Sequence, residues 1–300
     1  MSPHILSLPT ELLAQILSFL SLPSLLRFSE TSVYARALAN ANLHSLSLCI
    51  VLPFSRSHPC DLLSLISETG GKRPARAIQD GTSTPCIRIT APSQYNYLDL
   101  LAFQSTLLST VLHRHAAMLQ HVHLQVPALT VPMALALRTL HALKTLALGF
   151  QTPLPTRFVP RSHVAAQRTQ QHLAWKTLVD GGPPVWSRRL RSLRLEDAEI
   201  ETAQLGMLVS ESAACDELVL EGCRNLGKEV WCELQMWIGR GRVRVLEVAE
   251  CGGVLGEKAL DGIGGMGGLE VCILFSSLFC LFPLLYVLIF NFGVRGLGPL

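Results

Sequence analysis

Apolar residues recur at helical spacing near the start of the chain. Two copies of Ser-Leu-Pro, at residues 7–9 and 21–23, each precede a run of leucines. Proline fits the first helical turn, because its fixed φ is already helical and its missing N–H would have no partner there. The pattern predicts two short helices opened by prolines, and a third from Ser32 to about Ala41. The first helix carries a broad apolar stripe, formed by Leu12, Leu13, Ile16, Leu17 and Leu20.

A different periodicity begins after residue 97. The pattern apolar-x-x-apolar-x-apolar occurs six times, starting at Leu119, Leu143, Leu190, Cys215, Val243 and Met266. The middle residues of successive copies are 24, 47, 25, 28 and 23 positions apart, and 47 is close to two units. Such a period predicts one short parallel strand and one return segment per unit. Helices are expected in the return segments at residues 98–119, 202–209 and 228–238.

Residues 45–97 separate the two patterned regions. From about Pro53 this segment has no periodicity and contains scattered prolines and glycines, which favour turns and loops. We interpret it as a linker or an irregular first repeat, with at most one short helix at residues 60–67.

The N-terminal pattern resembles the F-box, a short helical module, within residues 5–44. The matching residues are Leu8-Pro9-Thr10-Glu11-Leu12-Leu13, then Ile16-Leu17, then Leu20-Ser21-Leu22-Pro23-Ser24-Leu25-Leu26. The cysteine and tryptophan usual in the third F-box helix are absent. The resemblance implies docking on a Skp-type adaptor and, through it, on a cullin scaffold that presents a substrate for ubiquitin transfer. The residues assigned to adaptor binding are Leu8, Pro9, Leu12, Leu13, Ile16, Leu17, Leu20, Leu22 and Leu25. The alternative is a helical hairpin that belongs to some other core.

The second region resembles leucine-rich repeats. Cys223 and Cys251 each follow the middle leucine of a unit by five residues, as in the cysteine-containing subclass that often follows an F-box. In that subclass the cysteine caps backbone groups where the chain leaves the strand. The two resemblances together imply an α/β fold, with a three-helix F-box at residues 5–44. An irregular leucine-rich-repeat solenoid of parallel strands and return helices would occupy residues 98–271.

Strand alternation predicts a binding surface. Residues between the buried leucines must point to the opposite, concave face, which solenoids use for binding. The predicted substrate-binding residues on this face are His123, Arg194, Glu196, Glu217, Val219, Glu221 and Glu247. Because a surface of one charge favours complementary partners, a basic segment is the expected ligand. The alternative, of equal weight, is that the glutamates are only solubilising charges.

Composition argues against several other functions. The net charge of +3 is too small to indicate nucleic-acid binding. The nine cysteines include no Cys-x-x-Cys pair, so neither zinc fingers nor a secreted disulfide framework is expected. No nucleophile has a base at supporting spacing, and His121 and His123 lack a nearby carboxylate or cysteine. We therefore expect no metal, no cofactor and no enzymatic activity.

The two ends of the chain bear on localisation. The first residues lack the positive region of a secretory signal, which favours the cytoplasm or nucleus. Residues 272–300 form a hydrophobic tail, of which residues 272–292 are long enough to cross a bilayer. Two interpretations stay open: a membrane anchor, or a translated intron, since the tail interrupts a repeat and is rich in residues with pyrimidine-rich codons.

These features predict the substrate-recognition subunit of an SCF-type (cullin) ubiquitin ligase. It would bind a Skp-type adaptor through the F-box and an unknown protein substrate through the repeats. The alternative is a membrane-tethered leucine-rich-repeat scaffold, in which the N-terminal helices only cap the array and ubiquitin transfer has no part.

Overall fold

Three short helices begin the structure, a computed structural model that describes residues 8–20, 22–51, 86–88, 97–151, 161–252 and 257–275. They are α1 (Thr10–Ser18), α2 (Leu22–Glu30) and α3 (Val33–Ala41). Pro9 is the N-cap of α1, and Pro23 lies in the first turn of α2. The Ser32 hydroxyl caps α3 by accepting a hydrogen bond of 3.0 Å from the Ala35 backbone N–H. The three predicted helices are therefore present, and each starts at a residue suited to a helix start.

An eight-stranded sheet follows, in which every neighbouring pair of strands is parallel. The strand order is β2-β1-β3-β4-β5-β6-β7-β8, so from β3 onward each strand pairs with the next one along the chain. The strands are β1 (Ser45–Val51), β2 (Cys86–Arg88), β3 (His121–Val126), β4 (Thr145–Phe150), β5 (Ser192–Glu196), β6 (Glu217–Glu221), β7 (Val245–Ala249) and β8 (Val271–Phe275).

Helices connect the strands across the return segments. They are α4 (Tyr97–Arg114), α5 (Val131–Arg138), α6 (Arg161–Val179), α7 (Thr202–Val209), α8 (Val230–Met236) and α9 (Glu257–Gly264). The helices predicted at residues 98–119, 202–209 and 228–238 correspond to α4, α7 and α8. The alternation of strand and return helix is thus the one that the apolar spacing predicts.

The register of the sheet aligns the middle residues of the repeat pattern. Val122 lies opposite Leu146, Leu146 opposite Leu193, Leu193 opposite Leu218, and Leu218 opposite Leu246. All five of these side chains are fully buried. Because strand side chains alternate between faces, this alignment places one apolar row against the helices and the intervening residues on the other side of the sheet.

The sixth predicted unit is wrong by three residues. Cys272, and not Leu269, lies opposite Leu246, and β8 continues to Phe275. The segment Leu269-x-x-Cys272-x-Leu274 fits the repeat pattern better than the one starting at Met266, and its three apolar side chains are buried. The last repeat therefore extends four residues past the predicted boundary at residue 271, into the segment that the sequence assigned to the tail.

The step of 47 residues needs correction. β4 pairs directly with β5, and the described residues of this step form no additional strand between them. It is one repeat with an enlarged return segment that includes the 19-residue helix α6. Residues 45–97, interpreted as a linker or an irregular first repeat, contribute β1 and β2 to the sheet, which fits the second interpretation. The segment Leu43-x-x-Leu46-x-Leu48 has the same apolar pattern as the later units and contains most of β1, whose Leu46 lies opposite Val122.

One apolar core joins the N-terminal helices to the sheet. Leu17 of α1, Leu25 of α2 and Ala39 of α3 belong to the same buried cluster as Leu46 and the leucines of the later strands. The His44 carbonyl also accepts hydrogen bonds from the backbone N–H groups of residues 120 and 121, at 2.8 and 3.0 Å. A unit of about forty residues buries too little surface to be stable by itself, so the sheet supplies the missing core.

The chain leaves successive strands by a recurring turn. Asp197 after β5, Gly222 after β6 and Glu250 after β7 have φ angles of 52, 66 and 54°, in the left-handed region. Cys223 and Cys251 come next in their repeats. The Cys223 sulfur lies 3.7 and 3.6 Å from the carbonyl oxygens of residues 195 and 221, and the Cys251 sulfur lies 3.5 and 3.4 Å from those of residues 220 and 249, within the range of S–H···O hydrogen bonds. Each thiol is therefore placed to donate its hydrogen to a strand carbonyl group, the position that the resemblance to cysteine-containing repeats implies.

Most of the hydrophobic tail, residues 276–300, lies outside the described residues, as does the helix predicted at residues 60–67. Among the helices of the described ranges, none has the length and apolar character that a bilayer span requires.

Candidate interaction surfaces

Exposed apolar side chains line one side of α1 and its flanks. Leu8, Leu12, Ile16 and Leu20 recur at every fourth position and have exposed fractions of 38, 47, 40 and 37%. Residues four apart lie on the same side of a helix, and Phe19, which is 88% exposed, adjoins them in sequence. These five residues are called the N-terminal apolar face below. A group of large apolar side chains left in water marks an interaction site more often than scattered single ones do.

The predicted adaptor-binding residues divide into two groups. Leu8, Pro9, Leu12, Ile16 and Leu20 are exposed. Leu13, Leu17 and Leu25 are only 1, 3 and 5% exposed, so the prediction that they contact a partner directly is corrected. One helical position turns the chain by about 100°, which carries residues 13 and 17 away from the apolar face and into the core. The side chain of Leu22 is outside the described part of the chain.

Sequence reasoning missed some exposed apolar residues of these helices. Phe19, Leu26, Val33 and Tyr34 are 88, 54, 83 and 45% exposed. The sequence signal for them was that other apolar residues already form the side of α1–α3 that faces the core. Large apolar residues left over from such a stripe are candidates for contact with another protein.

The second surface is the side of the sheet opposite the helices. The open sheet face is defined here as the outward residues of β3–β8. In β3, β5 and β7 these side chains are more exposed than the buried leucines and valines that alternate with them. The register places His123, Ala147, Arg194, Val219, Glu247 and Ile273 in one row across the strands. The pairing therefore brings four of the predicted substrate-binding residues, His123, Arg194, Val219 and Glu247, into one row, and Ile273 on β8 extends that row.

The character of the open sheet face changes along the array. Its β3 and β4 residues are mainly histidine, threonine, alanine and glutamine. β5 contributes Glu196 beside Ser192 and Arg194, β6 contributes Glu217 and Glu221, and Glu247 adds one more glutamate from β7. Partly exposed aliphatic residues lie next to Glu247: Val245 on the same strand, and Val271 and Ile273 on β8. An acidic area thus borders an apolar area on the same face.

Val219 is not an accessible residue of this face. Its exposed fraction is 1%, which corrects the prediction that its side chain is available to a substrate. The register places it between Arg194 on β5 and Glu247 on β7, whose longer side chains stand on either side. Val219 therefore forms the floor of the acidic area.

Arg194 is occupied by contacts within the protein. Its Nε atom donates to Glu196 Oε1 at 2.7 Å, and Gln125 donates to the second oxygen of Glu196 at 2.9 Å. Burial by itself would lower the pKa of Arg194. The hydrogen bond to Glu196 and the charges of Glu196, Glu247 and Glu221 outweigh burial and raise it. The one cation among the outward residues of β5–β7 is thus already paired with a carboxylate.

The remaining glutamates of this area are not matched by cations in the same way. Glu217 Oε2 accepts a hydrogen bond of 2.9 Å from the Ser192 hydroxyl, which supplies no charge. Burial raises the pKa of Glu221, and repulsion by Glu196 and Glu247 raises it further, while Arg194 opposes the shift. The acidic area therefore carries net negative charge and repulsion among its own carboxylates.

The histidines of β3 lie in a different setting. His121 Nδ1 is 3.0 Å from the Thr145 hydroxyl. Burial lowers the pKa of His123, with the nearby Glu196 opposing the shift and Arg194 adding to it. His123 is therefore mainly neutral at pH 7. Within the described residues, no group of three His, Cys, Asp or Glu side chains could hold a metal ion.

Two buried cysteines, Cys215 and Cys223, have the properties of structural thiols, whereas the hydrogen bond with Cys223 lowers the pKa of the Cys251 thiol. Burial raises the pKa of Cys215 to about 12. The hydrogen bond with Cys251, together with burial, raises the pKa of Cys223 well above its ordinary value. A thiol with a raised pKa stays protonated at neutral pH and is a poor nucleophile.

Comparison with known families identifies one part of the chain. Residues 5–42 match the F-box domain, and this range contains α1, α2, α3 and the N-terminal apolar face. No curated protein matches the chain significantly. The chain therefore carries an F-box domain at its N-terminus, followed by a parallel sheet with return helices.

Proposed function

We propose that this protein is the substrate-recognition subunit of an SCF-type ubiquitin ligase. In this proposal the N-terminal apolar face binds a Skp-type adaptor, which joins the protein to a cullin scaffold. The open sheet face binds the protein that is to receive ubiquitin. The observation that carries the proposal is the F-box match at residues 5–42, combined with the exposure of Leu8, Leu12 and Ile16 within it.

The form of the second region supports the role of the sheet. We infer that it is an irregular leucine-rich-repeat solenoid, since one strand and one return helix alternate in sequence order from β3 to β8. Solenoids of this kind present an extended surface on the strand side and bind other proteins there. The substrate-binding residues proposed on this surface are His123, Arg194, Glu196, Glu217, Glu221 and Glu247.

The shared core supports the proposal because it joins the N-terminal helices to the sheet. Leu17 and Leu25 pack in the same cluster as the sheet leucines, so the adaptor-binding helices are attached to the substrate-binding sheet by buried contacts. An adaptor bound to α1 would then hold the open sheet face at a fixed place relative to the ligase. The chain itself needs no catalytic group for this function, because ubiquitin transfer is carried out by other subunits.

Affinity purification of the tagged full-length chain from cells tests the proposal. The wild-type chain should retain a Skp-type adaptor and a cullin. The double variant Leu12→Asp/Ile16→Asp should lose both, because carboxylates cannot enter an apolar partner site without a large desolvation cost. The matched control is Leu135→Asp/Leu173→Asp, which makes the same change at residues of similar exposure, 46 and 52%, on the return helices.

Circular dichroism and thermal melting of both double variants accompany the purification. Both should keep the wild-type helix content, since the four positions are exposed. If the Leu12→Asp/Ile16→Asp variant captures the adaptor as well as the control does, the proposed adaptor site is wrong.

A further inference from the structure

We propose that the acidic area of the open sheet face takes a protein segment in which basic residues stand next to an aliphatic residue. This inference rests on the proposed function and specifies its substrate class. The acidic area is defined by Glu217, Glu221 and Glu247 around the floor residue Val219, and the apolar area beside it by Val245, Val271 and Ile273.

The charge of the acidic area favours a basic partner. Arg194 is already bound to Glu196 at 2.7 Å, so its charge does not neutralise the other three glutamates fully. Glu221 is destabilised in its charged form by burial and by neighbouring carboxylates. A lysine or arginine placed among these groups would relieve the repulsion. The same charge would repel a nucleic-acid backbone, which selects a protein segment as the ligand.

The arrangement suits a long cationic side chain. Glu217 and Glu221 lie on either side of Val219 along β6, two residues away in each direction, and Glu247 lies opposite Val219 on β7. Residues two apart on a strand are separated by about 6.8 Å and neighbouring strands by about 4.8 Å. A lysine or arginine stem can therefore lie over Val219 while its head group reaches carboxylates on two or three sides.

The neighbouring apolar area adds a second requirement. Ile273 lies opposite Glu247, and Val271 lies opposite Val245, in the next strand of the sheet. From β6 to β8 the distance is about 10 Å, which an extended peptide covers with about three residues. Side chains of an extended peptide alternate between its two faces, so only residues an even number of positions apart face the sheet together. A segment that places a basic residue over Val219 therefore brings a residue two or four positions away over Val271 and Ile273. An aliphatic side chain at that position would bury apolar surface there.

Direct binding of synthetic peptides to the purified full-length chain tests the inference. The probe is a fluorescein-labelled peptide in which an arginine and a lysine stand four and two residues before a leucine, so that all three side chains share one face. Its binding is measured by fluorescence anisotropy. Three comparison peptides replace the basic pair by glutamine, replace the leucine by serine, or replace the basic pair by glutamate. The first should bind, each single replacement should weaken binding, and the glutamate peptide should not bind.

Protein variants locate the site. Glu217→Gln/Glu221→Gln/Glu247→Gln should weaken binding of the basic peptide by about tenfold or more, because it removes the complementary charge, and should reduce the salt dependence of binding. The control Glu229→Gln/Glu233→Gln/Asp261→Asn makes the same change in net charge at exposed residues outside the open sheet face. It should leave the affinity unchanged.

The outcomes separate this inference from the proposed function. If the triple glutamate variant binds the basic peptide as tightly as the control does, or if none of the peptides binds the wild-type chain, the inference is overturned. Neither result affects adaptor capture, which is measured on the same preparations. Conversely, the Leu12→Asp/Ile16→Asp variant should bind the peptide normally even though it loses the adaptor.

Discussion

Glu221, a residue of the open sheet face, acts against the stability of the fold when it is ionised. Burial and the charges of Glu196 and Glu247 raise its pKa. A carboxyl group whose pKa is higher in the folded than in the unfolded chain favours folding when it is protonated and opposes folding when it is ionised. Such a group is an expected feature of a surface that is completed by a cationic partner.

The first prediction follows from the sign of this shift. The contribution of Glu221 to stability is fully present below its unfolded pKa and is lost as the pH rises through its folded pKa. Glu221→Gln should therefore increase the free energy of unfolding at pH 7, and its advantage over the wild type should shrink as the pH is lowered towards about 4. Urea denaturation at several pH values measures this difference. Glu233→Gln is the control, and an equal gain there, or a gain that does not depend on pH, would contradict the explanation.

The second prediction concerns the capping thiols. Cys223→Ala and Cys251→Ala each remove a buried group that donates to strand carbonyls and leave a small cavity. Each should lower the free energy of unfolding by about 1–3 kcal/mol. Cys232 is exposed, so Cys232→Ala should change stability by less than about 0.5 kcal/mol. Equal stabilities of all three variants in urea denaturation would show that the buried thiols have no capping role.

At the scale of single elements, the apolar spacing predicts most of the sheet. Five units could be placed from sequence because Val122, Leu146, Leu193, Leu218 and Leu246 repeat with the same flanking pattern. The sixth was misplaced because Met266 and Leu269 satisfy the same pattern three residues too early. Only pairing with β7 distinguishes the two registers, and pairing is a tertiary property that a single unit does not encode.

Other elements were missed for different physical reasons. The three-residue strand β2 is too short for a periodicity to be recognised. Trp186 and Trp237 also escaped notice, although each is buried and donates its indole N–H to a backbone carbonyl at 2.9 Å, of residue 137 and residue 212 respectively. They lie in return segments of different length, so their equivalence is visible only in three dimensions.

The exposure of individual side chains is the feature of the candidate sites that is hardest to predict from the sequence. Leucines 12 and 13 are equivalent by composition, and both fit an apolar stripe. One is 47% exposed and the other 1%, because only one side of α1 is buried within the folded chain. The sequence indicates which helix is the candidate for partner binding, whereas the packing of the whole chain decides which of its leucines are accessible.

The third prediction tests the new end of the repeat array. A chain that ends at Glu270 lacks β8, whose Cys272 and Leu274 are 1 and 5% exposed, whereas a chain that ends at Phe275 keeps it. The shorter chain should be less stable than the longer one by about 3–6 kcal/mol, from the loss of two buried side chains and the pairing with β7. Thermal melting of the two chains measures the difference. Equal melting temperatures would mean that the array ends at residue 271.

At the scale of the whole molecule, two surfaces of different chemistry share one core. The N-terminal apolar face is aliphatic and aromatic, and the open sheet face is acidic over β5–β7. Because Leu17, Leu25 and Ala39 belong to the same buried cluster as the sheet, neither surface needs to fold on binding. The two partners should therefore bind independently, and loss of one should leave the affinity for the other unchanged.

The mass of the complex with a purified Skp-type adaptor tests the central claim most directly. Size-exclusion chromatography with light scattering of the full-length chain mixed with the adaptor should show one species with the mass of a one-to-one complex. The Leu12→Asp/Ile16→Asp variant should elute separately from the adaptor, and the Leu135→Asp/Leu173→Asp control should elute with it. Separate elution of the folded wild-type chain and the adaptor would contradict the assignment of this protein to a ubiquitin ligase.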